Sequence, residues 1–191
     1  KTLEVAQEFL NPSELPDPYL HFKSLKKTIS RIERAISDKE KIAICGDYDA
    51  DGITSTTVMI KALSKMNSTA QACIPSRFKE GYGLNPNMVE NLEKENIKLI
   101  ITVDNGINAK EALKLAKKKS IDVIITDHHK IPDKLPEVFS IIHPDLTPEN
   151  SPYRYLAGVG LAYIIGKELI KGLGNIQFIQ ELEDLLCIGT I

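Results

Sequence analysis

The segment Asp47-Tyr48-Asp49-Ala50-Asp51-Gly52 places three carboxylates within five residues. Buried without a counter-charge, such groups repel one another, raise each other's pKa and cost several kcal/mol. A divalent cation removes that cost. A solvated turn ahead of a helix N-terminus would also tolerate them, since Asp is a common cap. A calcium EF-hand is excluded: loop position 12 holds Val58 instead of Glu, and an apolar run precedes the loop where a helix is required. A phosphatase of the haloacid-dehalogenase type needs Thr two residues after its second Asp. Here that place holds Asp51 or Ile53.

Three further motifs carry the same chemistry. Asp104-Asn105-Gly106 is, by itself, ordinary turn composition. Asp127-His128-His129 sets two imidazoles side by side, so that one can ligate a metal and the other face a substrate phosphate. Asp127 can then orient an imidazole. In His143-Pro144-Asp145 the proline restricts His143 to extended backbone, and the motif reads equally as a strand-ending turn.

All four motifs follow apolar runs, at 41–46, 98–103, 121–126 and 138–142. The runs are continuously apolar rather than alternating, as expected of strands covered on both faces. Apolar stripes or capping signals predict helices over 24–37, 54–66, 85–95 and 108–119, the last opened by an Asn108–Glu111 capping box. A further strand falls at 69–74, and a glycine-bearing loop at 76–84. Strands alternating with helices argue for an α/β fold: a mostly parallel sheet with helices on both faces. Ligands bind such sheets outside the carboxyl ends of the strands, where all four motifs would converge.

After residue 151 the chain reads as helical, with a last helix over 175–187. Gly158, Ala162 and Gly166, four residues apart, would form one thin face. Residues 1–23, proline-rich between 11 and 20, read as an extended lead-in to a domain over 24–191.

Net charge is −2, so any basic surface is local. Lys117-Lys118-Lys119 ends a predicted helix, where lysines complement the macrodipole. Arg77 and Tyr82, in the loop after the second strand, could hold a phosphate and stack on a base. The longest near-apolar run, 156–165, is about half of the ~20 residues that a membrane span needs. Residues 1–9 lack the apolar core of a signal peptide. Cys45, Cys73 and Cys187 are scattered and odd in number, which fits the reducing cytoplasm.

Together the motifs resemble the DHH phosphoesterase superfamily, and within it the single-strand-specific 5′→3′ exonucleases. The segments that carry this are Phe9–Pro12, Asp17-Pro18, Gly46–Thr54, Glu80–Asn85, Thr102–Gly106, Thr126–His129, His143-Pro144 and Leu156–Gly160. The resemblance implies a DHH phosphoesterase domain acting on single-stranded DNA. It also implies two Mn²⁺ (or Mg²⁺) ions held by Asp49, Asp51, Asp104 and His128, with Asp104 between them. His129 would meet the scissile phosphate with Asp127 behind it. Asp47, His143 and Asp145 would support this set.

An activated water would then attack phosphorus in line. A single-strand-binding protein and a helicase would be the partners, with no membrane. Two departures stand out. Many relatives carry histidine where this chain has Cys45. In the exonucleases a Gly-Thr-Ile like Gly189–Ile191 is followed by one more metal-binding aspartate, so the stretch is expected to bind metal weakly by itself. Two other readings stay open. One is a different DHH phosphodiesterase, acting on short RNA or cyclic dinucleotides. The other is a non-catalytic binding module on the same fold.

Overall fold

The computed structural model describes Gln7, Leu10 and residues 15–76, 81–173 and 176–191. Its strands are β1 (Lys41–Cys45), β2 (Ala70–Cys73), β3 (Ile97–Val103), β4 (Asp122–Thr126) and β5 (Ser140–Ile142). They form one sheet in the order β2-β1-β3-β4-β5, and every neighbouring pair is parallel. The helices are α1 (Leu25–Ser37), α2 (Ala50–Lys65), α3 (Pro86–Lys94), α4 (Lys110–Lys118), α5 (Gly158–Ile170) and α6 (Ile176–Thr190).

Two apolar cores flank the sheet. Side chains of α1, α2, α5 and α6 pack with Ile42, Ile44, Leu99 and Ile101 on one face. Those of α3 and α4 pack with Ala43, Cys45, Ile100 and Ile125 on the other. Successive strand residues point to opposite faces, so continuous apolar runs such as β3 feed both cores. The expected α/β architecture with helices on both faces is what forms.

Some boundaries differ from the sequence expectation. Helix α2 starts at Ala50, earlier than Thr54, because Asp49 is its N-cap and accepts from Gly52 N–H at 2.9 Å. The capping box at Asn108 does not form. Helix α4 starts at Lys110 with no side-chain cap, and Asn108 Nδ2 instead donates to the Lys130 carbonyl at 3.1 Å. The lead-in is not extended throughout. Pro18–Leu20 makes a 3₁₀ turn, with Asp17 accepting from Tyr19 N–H. The Tyr153 hydroxyl donates to the Pro16 carbonyl and ties this segment to the body.

The lysine tract closes α4 as expected: Lys117 pairs with Glu137 at 2.7 Å and Lys119 with Glu93 at 3.5 Å. Among the described residues, no helix is long and apolar enough to cross a membrane.

The thin face of α5 is used in two ways. Its start meets the strand ends, and its middle lies against α2. A Cβ on Gly166 would stand 3.3 Å from Ala62 Cβ and 3.5 Å from Val58 Cγ1. A Gly166→Leu substitution should therefore force the two helices apart and cost about 1–3 kcal/mol by overpacking. Urea unfolding checks this: the midpoint should fall at unchanged slope, and Gly166→Ala should cost less.

Candidate metal centre

Strand order reverses between β1 and β3. The chain leaves β1 through α2 on one face and leaves β3 through α4 on the other. In open α/β sheets the crevice at such a switch point is the ligand site. Asp47 and Asp49 follow β1, Asp104 follows β3, and His128 and His129 lie just beyond β4. Parallel pairing puts all these ends on the same sheet edge.

Asp104 is the centre of the arrangement. It is 1% exposed and adopts φ +60°, in the left-handed region that Asp tolerates better than most residues. Its N–H donates to the Thr126 carbonyl at 3.0 Å, which extends the β3–β4 ladder by one bond and holds the turn.

Two groups of donors share its carboxylate. In each, one ligand atom per residue lies within 4.8 Å of the others: Asp47 with Asp49 and Asp104, and Asp104 with His128 and His129. His128 Nε2 is 3.0 Å from Asp104 Oδ1, close enough for an ion pair. That oxygen is nevertheless buried without a hydrogen bond of good geometry. A mixed carboxylate–imidazole set with one shared carboxylate fits two divalent ions of the Mn²⁺ type.

The electrostatics agree with that fit. Burial pushes the Asp104 carboxyl up to about 6; the carboxylates of Asp51 and Asp49 add to the rise and His128 opposes it. His128 is raised by Asp104 and, against burial, by Asp51. His129 is raised chiefly by Asp127. Burial works to raise Asp127 as well, but its contacts with His129 and two backbone N–H groups outweigh it, and the carboxyl ends below its ordinary value.

Asp127 holds the turn rather than the reacting centre. Its Oδ1 accepts from the N–H groups of His128 (2.8 Å) and His129 (3.0 Å) and pairs with His129 Nδ1 at 2.8 Å. Its Oδ2 accepts from Ile107 N–H at 2.9 Å. This carboxylate thus contacts both the backbone of the turn and the His129 imidazole.

Asp51, in the first turn of α2, faces the N-terminus of α5. Its oxygens accept from Gly158 N–H at 2.8 Å and Val159 N–H at 2.6 Å, where a helix N-terminus favours a negative charge. Oδ2 also lies 3.5 Å from His128 Nε2. Asp51 thus borders the centre without joining either donor group. Gly158 allows this close approach, because a Cβ there would meet Asp104 Cβ at 2.6 Å.

The supporting residues divide. Asp47, expected behind the ligands, joins the carboxylate group itself. His143 is buried and holds the turn from below, through a contact of its Nε2 with the His129 carbonyl. Asp145 does not reach the site: its half-exposed carboxylate faces Arg154 at 3.6 Å. Cys45 offers no ligand. Its thiol is wholly buried in the second core, beside its strand partner Cys73.

Tyr82 leans over the centre. Its hydroxyl donates to the Asp104 carbonyl at 3.0 Å and lies 3.0 Å from His129 Nε2. Burial, then Asp104 and Asp127, raise its pKa far above the ordinary value, so it stays a phenol. Its ring is perpendicular to that of Tyr48 at 6.3 Å. Arg77 lies outside the described residues.

Asn105, a turn residue by composition, has a larger role. It is a fully buried bracket. Nδ2 donates to the carbonyls of Cys45 and Val103, both at 2.9 Å, and Oδ1 accepts from Leu84 N–H at 3.0 Å. It therefore joins the ends of β1 and β3 to the loop that bears Tyr82. Gly83, at φ +63°, lets the loop lie against it: a Cβ there would be 3.0 Å from Asn105 Oδ1.

The profile of the DHH family, N-terminal domain, matches residues 41–190. That span runs from the start of β1 to the last residue of α6. The chain belongs to the DHH family. Among curated relatives of this DHH domain, the single-stranded-DNA-specific exonuclease RecJ of Bacillus subtilis (strain 168) is 44% identical over 192 residues. The alignment covers 100% of this chain and 24% of that protein. The chain spans about a quarter to a third of the length of the curated relatives it matches.

Among solved structures, exonuclease RecJ bound to manganese superposes on the DHH domain with a TM-score of 0.81. It is 32% identical, over 92% of this chain and 44% of that one. RecJ from Thermus thermophilus, in complex with Mn²⁺, gives 0.80 at 29% identity, over 97% and 26%.

Two outcomes are expected of the DHH domain. Asn105→Ala removes a hydrogen-bond partner from two carbonyls and one N–H, at about 1–3 kcal/mol for each buried group left without another. Urea denaturation should show a loss of at least about 2 kcal/mol.

The second concerns pH. Asp104, His128 and His129 all have raised values in the folded chain. Their stabilisation is full below the unfolded values, 3.8 for Asp and 6.5 for His, and is lost as pH rises through the folded ones. Asp127 acts in the opposite sense, at lower pH. In chelator, the melting temperature should fall between about pH 5 and about pH 8, and Asp104→Asn should flatten that fall. Added Mn²⁺ should raise the melting temperature most at the alkaline end.

Proposed function

We propose that this chain is the metal-holding part of an exonuclease that hydrolyses phosphodiester bonds of single-stranded DNA, from the 5′ end. The observation that carries the reading is Asp104, a buried carboxylate shared by two donor groups at the switch point. Residues so arranged would hold a pair of divalent ions, with Asp104 common to both donor groups. The likeness to RecJ supports both the substrate and the metal. The relative from Thermus thermophilus has been solved with Mn²⁺ and also with Mg²⁺.

When bound, such ions lower the pKa of water and stabilise the charge on the leaving oxygen. Asp47, Asp49, Asp104 and His128 would hold them, with Asp51 at the border between the ions and α5. His129 has Nδ1 committed to Asp127, so its Nε2 faces the substrate side with the Tyr82 hydroxyl. In that position a protonated His129 can donate to a non-bridging phosphate oxygen. Asp127, accepting from Nδ1, keeps the imidazole in that orientation and favours its protonated form.

Tyr82 and Tyr48 would supply an aromatic wall for a terminal base, and Arg77 a charge for its phosphate. A helicase would supply the single strand and a single-strand-binding protein would keep it open. The compartment proposed is the cytoplasm, on the scattered cysteines.

The test uses the full-length protein with Mn²⁺ and 5′-labelled single-stranded DNA. Asp104→Asn and His129→Ala should each reduce mononucleotide release by at least about 100-fold, with melting curves that still show a folded protein. Faster hydrolysis of cyclic dinucleotides or short RNA than of long single-stranded DNA would overturn the substrate assignment. Absence of Mn²⁺ binding would favour a non-catalytic module.

A further inference from the structure

We infer that His143 is a positioning residue for the Asp127–His129 turn: its imidazole, donating to the His129 carbonyl, sets where both site imidazoles stand. The inference rests on the metal-site reading given above.

His143 is 1% exposed, and both of its ring nitrogens are engaged by backbone. Nδ1 accepts from Asp145 N–H at 3.1 Å, so it carries no proton. The ring proton is therefore on Nε2, which lies 2.8 Å from the His129 carbonyl oxygen. Sheet register delivers the contact. Thr126 pairs with Ile142, and Asp127 N–H donates to the Ile142 carbonyl at 3.2 Å, so His143 stands beside the turn. The backbone of His143 is extended, φ −149° and ψ 137°, as Pro144 requires.

The two histidines are thus gripped from two sides. The Asp127 carboxylate takes their N–H groups, and His143 takes the carbonyl that follows. His128 Nε2 stands 3.0 Å from Asp104, so a small rotation of this turn would carry it out of ligand range.

The residue type follows from the span. A single ring must donate at one end and accept at the other, bridging His129 to Asp145. Gln can supply the donor from a similar reach, but its oxygen and nitrogen are geminal, so it cannot also serve Asp145. Leucine supplies neither. Outer partners of metal-ligating groups typically change metal affinity by about 10–100-fold when lost.

The experiment compares Mn²⁺ affinity in the full-length wild type, His143→Leu and His143→Gln, beside amide exchange of His129 and Ile125 in chelator. His143→Leu should weaken Mn²⁺ binding about 10–100-fold and speed exchange at His129 without speeding it at Ile125, inside β4. His143→Gln should recover at least half of the lost affinity on a logarithmic scale. A folded His143→Leu protein with wild-type Mn²⁺ affinity overturns the inference, and so does equal acceleration at both amides.

Should the leucine variant fail to fold, nitrogen NMR of the wild type decides. A proton on Nε2 of His143 at neutral pH supports the inference, and one on Nδ1 overturns it. A wild type that binds no Mn²⁺ defeats the metal reading instead, and the exchange and tautomer results still judge His143.

Discussion

Like charges gathered at a buried point must be compensated, and in this protein that point is Asp104. Its carboxylate is almost wholly removed from water and lies beside other acidic groups and two imidazoles. The fold reaches this crowded state through its sheet. Parallel strands end on one edge, and the reversal of strand order opens a crevice between β1 and β3. Long apolar strands, covered by helices on both faces, provide the burial that keeps the edge rigid while its tips carry charge.

Around Asp104 the polar groups are held by others in turn. Asn105 fastens β1 to β3 and to the loop that bears Tyr82. Asp127 and His143 grip the histidine turn from its donor and acceptor sides. Asp51 docks the N-terminus of α5, and Gly158 permits the approach. Each of these side chains satisfies backbone groups that would otherwise be buried without partners, which is costly. Catalytic geometry is commonly held by such supporting bonds, because a loose ligand shell loses affinity even with every ligand present.

Much of this was legible before any coordinates. Continuous apolar runs announced strands covered on both faces, and the acidic or histidine-bearing residues after them marked the edge where a ligand would sit. Asp104, unremarkable as part of an Asn-Gly turn, gained weight only from its place after β3. The structure confirmed that placement. It placed Asp47 beside Asp49 and Asp104, and it set Asp51 both against the N-terminus of α5 and 3.5 Å from His128. It sent Asp145 to Arg154 and cancelled the expected cap at Asn108. These differences share one cause. Each side chain found its partner far along the chain, or on a neighbouring turn whose position local propensity does not encode.

Element order, the parallel α/β class, the sheet edge that carries chemistry and the residue types available there are all readable from the chain. Those follow from short-range rules: apolar periodicity, capping and the direction in which a strand runs. Which carboxylates share space, and which residues hold the others in place, came only from the folded molecule. These depend on ångström-scale distances between segments far apart in the chain, such as Asp51 and Gly158. Packing and register set such distances; the composition of any one motif does not.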